Sequence, residues 1–294
     1  MKKFMNYTLH QLQIFVEVVR FKSITKAAAS MHMTQPALSI QLKNFQQQFE
    51  HPLIEIIGKK LYVTDLGNSI VEIAETILNQ AQEIKYKTKE YEGLLSGRLR
   101  ISSASTGKYV IPYFLSKFLM NHKSIDFTLD VSNKSSVIQN LADNIIDFAL
   151  VSVLPMHLEV EEERLMPNDL YLVGDSPEFD SDRPLIFREE GSATRLAMDQ
   201  YFGNVERKRL MLTSNEAVKQ AVLAGIGYSI LPLIGIKNEL KSGSLHLIKR
   251  PDLPITTTWR LIWLKNKKRS PVAEAYLNYV RTHKKSIIDT YFAS

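Results

Sequence analysis

Residues Ser23 to Phe49 read SITKAAASMHMTQPALSIQLKNFQQQF, and this stretch decides the fold of the amino-terminal part. Ala27, Ala28, Met31, Leu38 and Leu42 fall on the inner faces of two short helices joined by a turn at His32–Met33. Thr34 stands where an N-cap belongs, and Pro36 lies in the first turn, where its missing N–H costs nothing. The pattern predicts a helix-turn-helix. Its second helix turns Gln35, Ser39, Ile40, Gln41, Lys43 and Asn44 outward, a set rich in amide, hydroxyl and ammonium groups that reach base edges and phosphates. Pro36 joins Gln35, Ser39, Ile40, Gln41 and Lys43 as a base-reading or phosphate-contacting candidate. Ser23, Lys26 and Thr34 complete the candidate DNA contacts of the hairpin. A helical hairpin of purely structural role has the same spacing, so the flanking sequence decides.

Upstream, Thr8 caps a helix to about Arg20 that carries Leu9, Leu12, Phe15, Val16 and Val19 at helical spacing. Downstream, His51-Pro52 breaks the recognition helix. Leu53–Ile57 and Leu61–Val63 then read as two short strands around the basic turn Gly58-Lys59-Lys60, a wing whose lysines would meet phosphate. From Asp65 to about Leu95 the chain reads as one long amphipathic helix. Leu66, Ile70, Ile73, Ile77, Ile84, Tyr91 and Leu94 form a narrow stripe, which predicts a dimer-forming linker helix, with a core helix of the next domain as the alternative.

The order of these landmarks resembles the LysR-type transcriptional regulators. The matching residues are the spaced hydrophobics of the first helix, Ala27-Ala28, Thr34-Gln35-Pro36-Ala37-Leu38-Ser39, and Val63-Thr64-Asp65-Leu66-Gly67. Two positions depart from the family pattern. Ile40 stands where the family usually has arginine, and Leu53-Ile54-Glu55-Ile56 replaces the usual L-F-x-R before the wing. An apolar Ile40 would meet a thymine methyl where the arginine would meet guanine.

The chain has 294 residues, 45% hydrophobic and 23% charged, enough for roughly two domains with ordinary cores. It has no cysteine, which excludes disulfides, thiolate chemistry and cysteine-ligated metals. The net charge is +6, of which residues 1–66 carry +4, the balance a polyanion-binding module needs. No apolar run follows Lys2-Lys3, because Asn6, His10, Gln11 and Gln13 interrupt it, and no stretch approaches a membrane span. A cytoplasmic protein is expected.

Strand and helix patterns alternate from Arg98 to the end, which predicts a parallel sheet with helices on both faces, arranged in two successive units. A final helix is expected from Pro271 to about Lys284. This region is similar to the effector-binding part of the same family, two α/β lobes like those of periplasmic solute-binding proteins. Gly97-Arg98-Leu99-Arg100-Ile101, Asp147-Phe148-Ala149-Leu150, Ser214-Asn215-Glu216-Ala217-Val218 and Gly225-Ile226-Gly227 carry the resemblance. The expected layout is therefore a winged helix-turn-helix over 1–64, a linker helix over 65–96, and a two-lobed α/β domain over 97–294. Lobe one takes about 97–166 and 264–294, and lobe two about 167–263.

Small molecules bind at the carboxyl ends of strands in such sheets, where helix amino termini converge. The hydroxyl- and amide-rich ends here are Ser103, Ser105 and Thr106, then Ser132 and Asn133, then Ser214 and Asn215. Plain helix capping explains each cluster equally well. Ser192, Thr194 and Arg195, in a loop R-E-E-G-S-A-T-R, would hold a carboxylate, sulfate or phosphate, unless Arg195 pairs with Glu189 or Glu190. A small anionic metabolite is the expected effector.

Enzyme signatures are missing from the sequence. Its histidines are scattered, it has no G-x-S-x-G, P-loop or dinucleotide motif, and Glu159 with Glu161–Glu163 reads as a solvated loop. No catalytic residue, metal or cofactor is expected. The resemblance implies a homodimer or homotetramer that binds double-stranded promoter DNA through paired winged helices, with RNA polymerase as a further partner. A solute-binding protein, or a metabolic enzyme with an appended helical domain, is the competing reading.

Overall fold

The computed structural model describes residues 6–58, 60–203 and 206–292, and the chain divides after Gly93 into two compact units. In the first, α1 (Leu9–Phe21), α2 (Ile24–Ser30) and α3 (Gln35–Gln46) precede β1 (Ile54–Ile57), β2 (Lys60–Val63) and α4 (Asp65–Tyr91). Each helix start has a side chain to satisfy its free amides. Thr8 and Gln11 form a capping box on α1, Ser23 accepts from the Lys26 N–H, and Thr34 accepts from the Ala37 N–H. Phe15, Val18, Ala27, Leu38 and Phe45 are wholly out of water and make the core.

Three expectations for this unit need correction. Leu9 is exposed, because Tyr7 packs its ring on Phe45 and Phe49 at that end of the core, and Ile14 is buried instead. The stripe of α4 is divided. Ile70 and Ile77 pack with buried Ala74 on the core of their own unit, whereas Leu66, Ile73 and Ile84 remain exposed. Gln41, expected to face outward, is half-buried, and its Oε1 accepts a 3.1 Å hydrogen bond from Gln11 Nε2 on α1.

The join between wing and α4 is tight. Thr64 Oγ1 accepts from the Gly67 N–H at 3.0 Å and donates to the Pro52 carbonyl at 2.8 Å. A Cβ on Gly67 would sit 2.0 Å from the Leu53 carbonyl oxygen, so no other residue fits without backbone movement.

The second unit begins with β3 (Gly97–Ala104), a 3-10 turn over Ser105–Tyr109, α5 (Ile111–Asn121), β4 (Ile125–Ser132), α6 (Lys134–Ala142) and β5 (Phe148–Val151). The long β6 (Val160–Gly174) leads to β7 (Leu185–Arg188), α7 (Ala193–Phe202), β8 (Arg209–Leu212), α8 (Asn215–Leu223) and β9 (Ser229–Pro232). Then come α9 (Lys237–Ser242), β10 (His246–Leu247), β11 (Ile255–Leu264) and α10 (Pro271–Tyr291). The sheet is mixed, not parallel as expected. β3 pairs in parallel with β4 and β5, whereas β6 and β11 run antiparallel to each other and β11 antiparallel to β5. The difference arises because β6 and β11 are single long strands that carry the chain out of the first lobe and back.

The acidic run is also corrected. Glu161, Glu162 and Glu163 lie in β6 opposite Trp263, Ile262 and Leu261, and they meet cations from β11, the turn after it and α10. Arg260 pairs with Glu162 at 2.6 Å, Arg281 with Glu163 at 3.2 Å, and Trp263 Nε1 donates to Glu161 at 2.7 Å. The final helix outruns its expected end at Lys284, because Ile287 and Ile288 return to the core beyond the polar Lys284-Lys285-Ser286.

That core contains a removable cost. Tyr276 is fully buried against Phe118 and Phe148, its hydroxyl has no hydrogen-bond partner among the described residues, and burial pushes its phenol far above the ordinary range. Tyr276→Phe is expected to raise stability by roughly 1 kcal/mol, since it deletes an unsatisfied donor and leaves the packing. Calorimetric melting measures this; a lower melting temperature would mean that the hydroxyl has a partner.

Candidate functional site

The first site is the outer face of α3. Leu38, Leu42 and Phe45 point to the core, and Gln35, Pro36, Ile40, Lys43 and Asn44 are exposed on the other side. Gln35 Nε2 donates to Ser39 Oγ at 2.8 Å, which holds both side chains along the helix. Thr34 is the exposed N-cap, and Ser23 and Lys26 occupy the start of α2. Lys60 opens β2 at the wing, where Ile57 is its cross-strand partner, and Lys59 lies outside the described residues. The wing shows exposed Ile56, Ile57 and Tyr62, of which Ile56 stands at the arginine position of the L-F-x-R pattern.

The second site is a cavity of about 440 Å³ in the second unit. It lies where β3, β6 and β11 meet the amino termini of α6, α7 and α8. Of the residues picked out in the sequence, Ser105, Thr106, Ser192, Thr194 and Asn215 line it. The other five do not. Ser103 is buried and donates to the Ala104 carbonyl, Ser132 donates to Asp130, and Asn133 and Ser214 are N-caps of α6 and α8. Arg195 does not line it: it is paired at 2.6 Å with Asp199, whose carboxylate does line the cavity and is balanced by that guanidinium, and it donates to the Arg188 carbonyl at 3.1 Å. Neither Glu189 nor Glu190 holds it. Glu189 belongs to Arg188, which is 3% exposed and grips that carboxylate through Nε and Nη2, both at 2.7 Å.

Hydrogen bonds join the two lobes across this cavity. Ser105 Oγ of lobe one accepts from Arg188 Nη1 at 3.2 Å and from Asn215 Nδ2 at 2.9 Å, both of lobe two. Thr194 Oγ1 reaches Asn215 Oδ1 at 3.4 Å and shares a 3.0 Å bond with Ser192 Oγ. Ser105 has thus filled its acceptor sites and keeps its own proton for a third partner. Ser192 does not cap α7, so that helix presents its first amides to the cavity without a side-chain acceptor. The Ser135 N–H donates to the Gly191 carbonyl at 3.2 Å and closes one edge.

Two family models cover almost the whole chain. The model of the bacterial regulatory helix-turn-helix protein, lysR family, matches residues 9–68, and that of the LysR substrate binding domain matches residues 92–285. The chain belongs to the LysR family. The HTH-type transcriptional activator CmpR of Synechocystis is 31% identical over 296 residues, covering 96% of this chain and 97% of that one. A RuBisCO operon transcriptional regulator of Acidithiobacillus ferrooxidans is 34% identical over 287 residues, 93% of each. Among solved structures, the regulatory domain of CcmR from Synechocystis in complex with 2-PG is similar at 29% identity and a TM-score of 0.60. It covers 65% of this chain and 98% of that one. The protein is a LysR-type DNA-binding transcription regulator with an effector-binding domain, and not an enzyme.

Several polar residues of this LysR cavity escaped the sequence reading. Lys134, Asn168, Gln200 and Thr257 line it from α6, β6, α7 and β11. Asn168 and Thr257 face each other across the β6–β11 ladder, and Asn168 Nδ2 donates to Thr257 Oγ1 at 2.9 Å. Neither has a local motif, because the cavity is made by strands that are 89 residues apart in the chain. Lys134 follows the Asn133 cap and was readable as part of that cluster. It is half-buried, no carboxylate pairs with it among the described residues, and burial lowers its ammonium below the ordinary lysine range.

Proposed function

We propose that this LysR regulator is controlled by a small anion bound in the cavity between its lobes. The observation that carries the reading is Lys134, a desolvated cation without a carboxylate partner among the described residues, facing the same space as the open amino terminus of α7. The Ser105 hydroxyl, Thr194, Asn215 and Asn168 supply neutral hydrogen bonds around it. A structural relative carrying 2-PG supports the size and class of ligand. On the DNA side, Ser23, Lys26, Thr34, Lys43, Lys59 and Lys60 are assigned to backbone contact, and Gln35, Pro36, Ser39, Ile40 and Gln41 to the base edges. The exposed Leu66, Ile73 and Ile84 of α4 support pairing of two copies, as a homodimer or within a tetramer, and RNA polymerase is the partner that would read the change. No helix among the described residues is long and apolar enough to cross a membrane, in keeping with work on promoter DNA in the cytoplasm.

Calorimetric titration of the full chain with inorganic phosphate, sulfate and 2-PG tests the proposal. At least one is expected to bind, and Lys134→Gln should weaken it about tenfold, the worth of one charge-assisted hydrogen bond. The affinity should hold at neutral pH and fall as pH rises through the lowered Lys134 value, because the empty site gives up its proton there while a bound anion retains it. Absence of heat with all three anions, or equal affinities in Lys134→Gln and wild type, overturns the assignment.

A further inference from the structure

Ile40 is the large apolar side chain at the centre of the DNA-facing side of α3, and it is 59% exposed. The helix geometry fixes this position. At 100° per residue, Ile40 lies about 140–160° from Leu38, Leu42 and Phe45, which hold the core face, so it has no packing role. Pro36 and Asn44, one turn to either side, and Ala37 and Lys43 border it, all exposed.

Two of its polar neighbours already hold partners within the protein, whereas Ile40 holds none among the described residues. Gln35 donates to Ser39 at 2.8 Å, and Gln41 is held by Gln11 at 3.1 Å. The apolar part of this face is a ridge of Pro36, Ala37 and Ile40, flanked by the exposed polar side chains of Gln35, Lys43 and Asn44. In the major groove, thymine alone among the four bases presents an apolar group, its 5-methyl. We infer that Ile40 reads a thymine methyl in each half-site and that this contact, in place of a charged one to guanine, sets the operator preference of this regulator.

The experiment removes that methyl and nothing else. Duplexes selected by the full-length protein from a randomised pool are resynthesised with deoxyuridine at each thymine in turn, and binding is followed by fluorescence anisotropy at fixed salt. One substitution per half-site is expected to weaken wild type about fourfold, the worth of one buried methyl. Ile40→Ala should bind the selected duplex less well and show no further loss on that deoxyuridine, while its circular dichroism and melting match wild type. Selection repeated with Ile40→Arg should replace the thymine by guanine. The inference fails if no deoxyuridine weakens wild type, or if Ile40→Ala keeps the full deoxyuridine penalty, which would assign the methyl to Pro36 or Ala37. Retention of thymine by Ile40→Arg would likewise overturn it.

Discussion

Replacing Gly67 with alanine is expected to destabilise the DNA-binding unit by roughly 3 kcal/mol, the upper end of the usual cost of overpacking. The new methyl would lie 2.0 Å from the Leu53 carbonyl oxygen and 2.9 Å from a Val63 methyl. A side chain could rotate away, but this carbonyl is fixed, because it accepts the Thr64 N–H at 3.1 Å and ties the two ends of the wing together. Relief has to come from moving either the wing or the first turn of α4. Urea unfolding of the full chain, followed by a probe within residues 6–93, gives the loss directly, and DNA binding should fall with it. Ser69→Ala, on the exposed side of the same turn, should stay within about 0.5 kcal/mol. If Gly67→Ala behaves like Ser69→Ala, the close approach is not a constraint on the fold.

Glu189→Ala is expected to cost the effector-binding unit about 3–5 kcal/mol, the penalty for leaving one partner of a buried pair without the other. Arg188 has 3% of its surface exposed, and its remaining acceptor is the neutral hydroxyl of Ser105. The double change Arg188→Met with Glu189→Ala should recover most of the loss, since it removes both the charge and its need. Recovery of stability without recovery of anion binding would separate the two roles of Arg188: balancing Glu189, and holding Ser105 in place beside the cavity. A single mutant as stable as wild type would show that water reaches the guanidinium and screens it.

The amino-terminal unit was legible in the sequence because its signals are local. Thr8, Ser23 and Thr34 cap the helices they precede, and each acts within three residues of itself. Gln41 misled for the opposite reason: its partner Gln11 lies on another helix, 30 residues away. The same contrast divides the cavity. Ser105, Thr194 and Asn215 stand at strand-to-helix turns, where short polar residues gather visibly. Asn168 and Thr257 sit inside strands whose pairing no short window reveals. The acidic run was misread because Arg260, Arg269, Arg281 and Lys284, which neutralise it, come from β11, the turn after it and α10, about a hundred residues later.

β6 and β11 are hydrogen-bonded without a break from Ile255 opposite Leu170 to Leu264 opposite Val160, with one slip of register between Trp259 and Arg260. A pair of crossings made of flexible linkers would let the lobes swing like a hinged shell. This ladder joins them by paired strands instead, and the one displaced step in its pairing stands beside Trp259, which also lines the cavity. A molecule bound against Trp259 therefore touches the crossing at the place where its register changes.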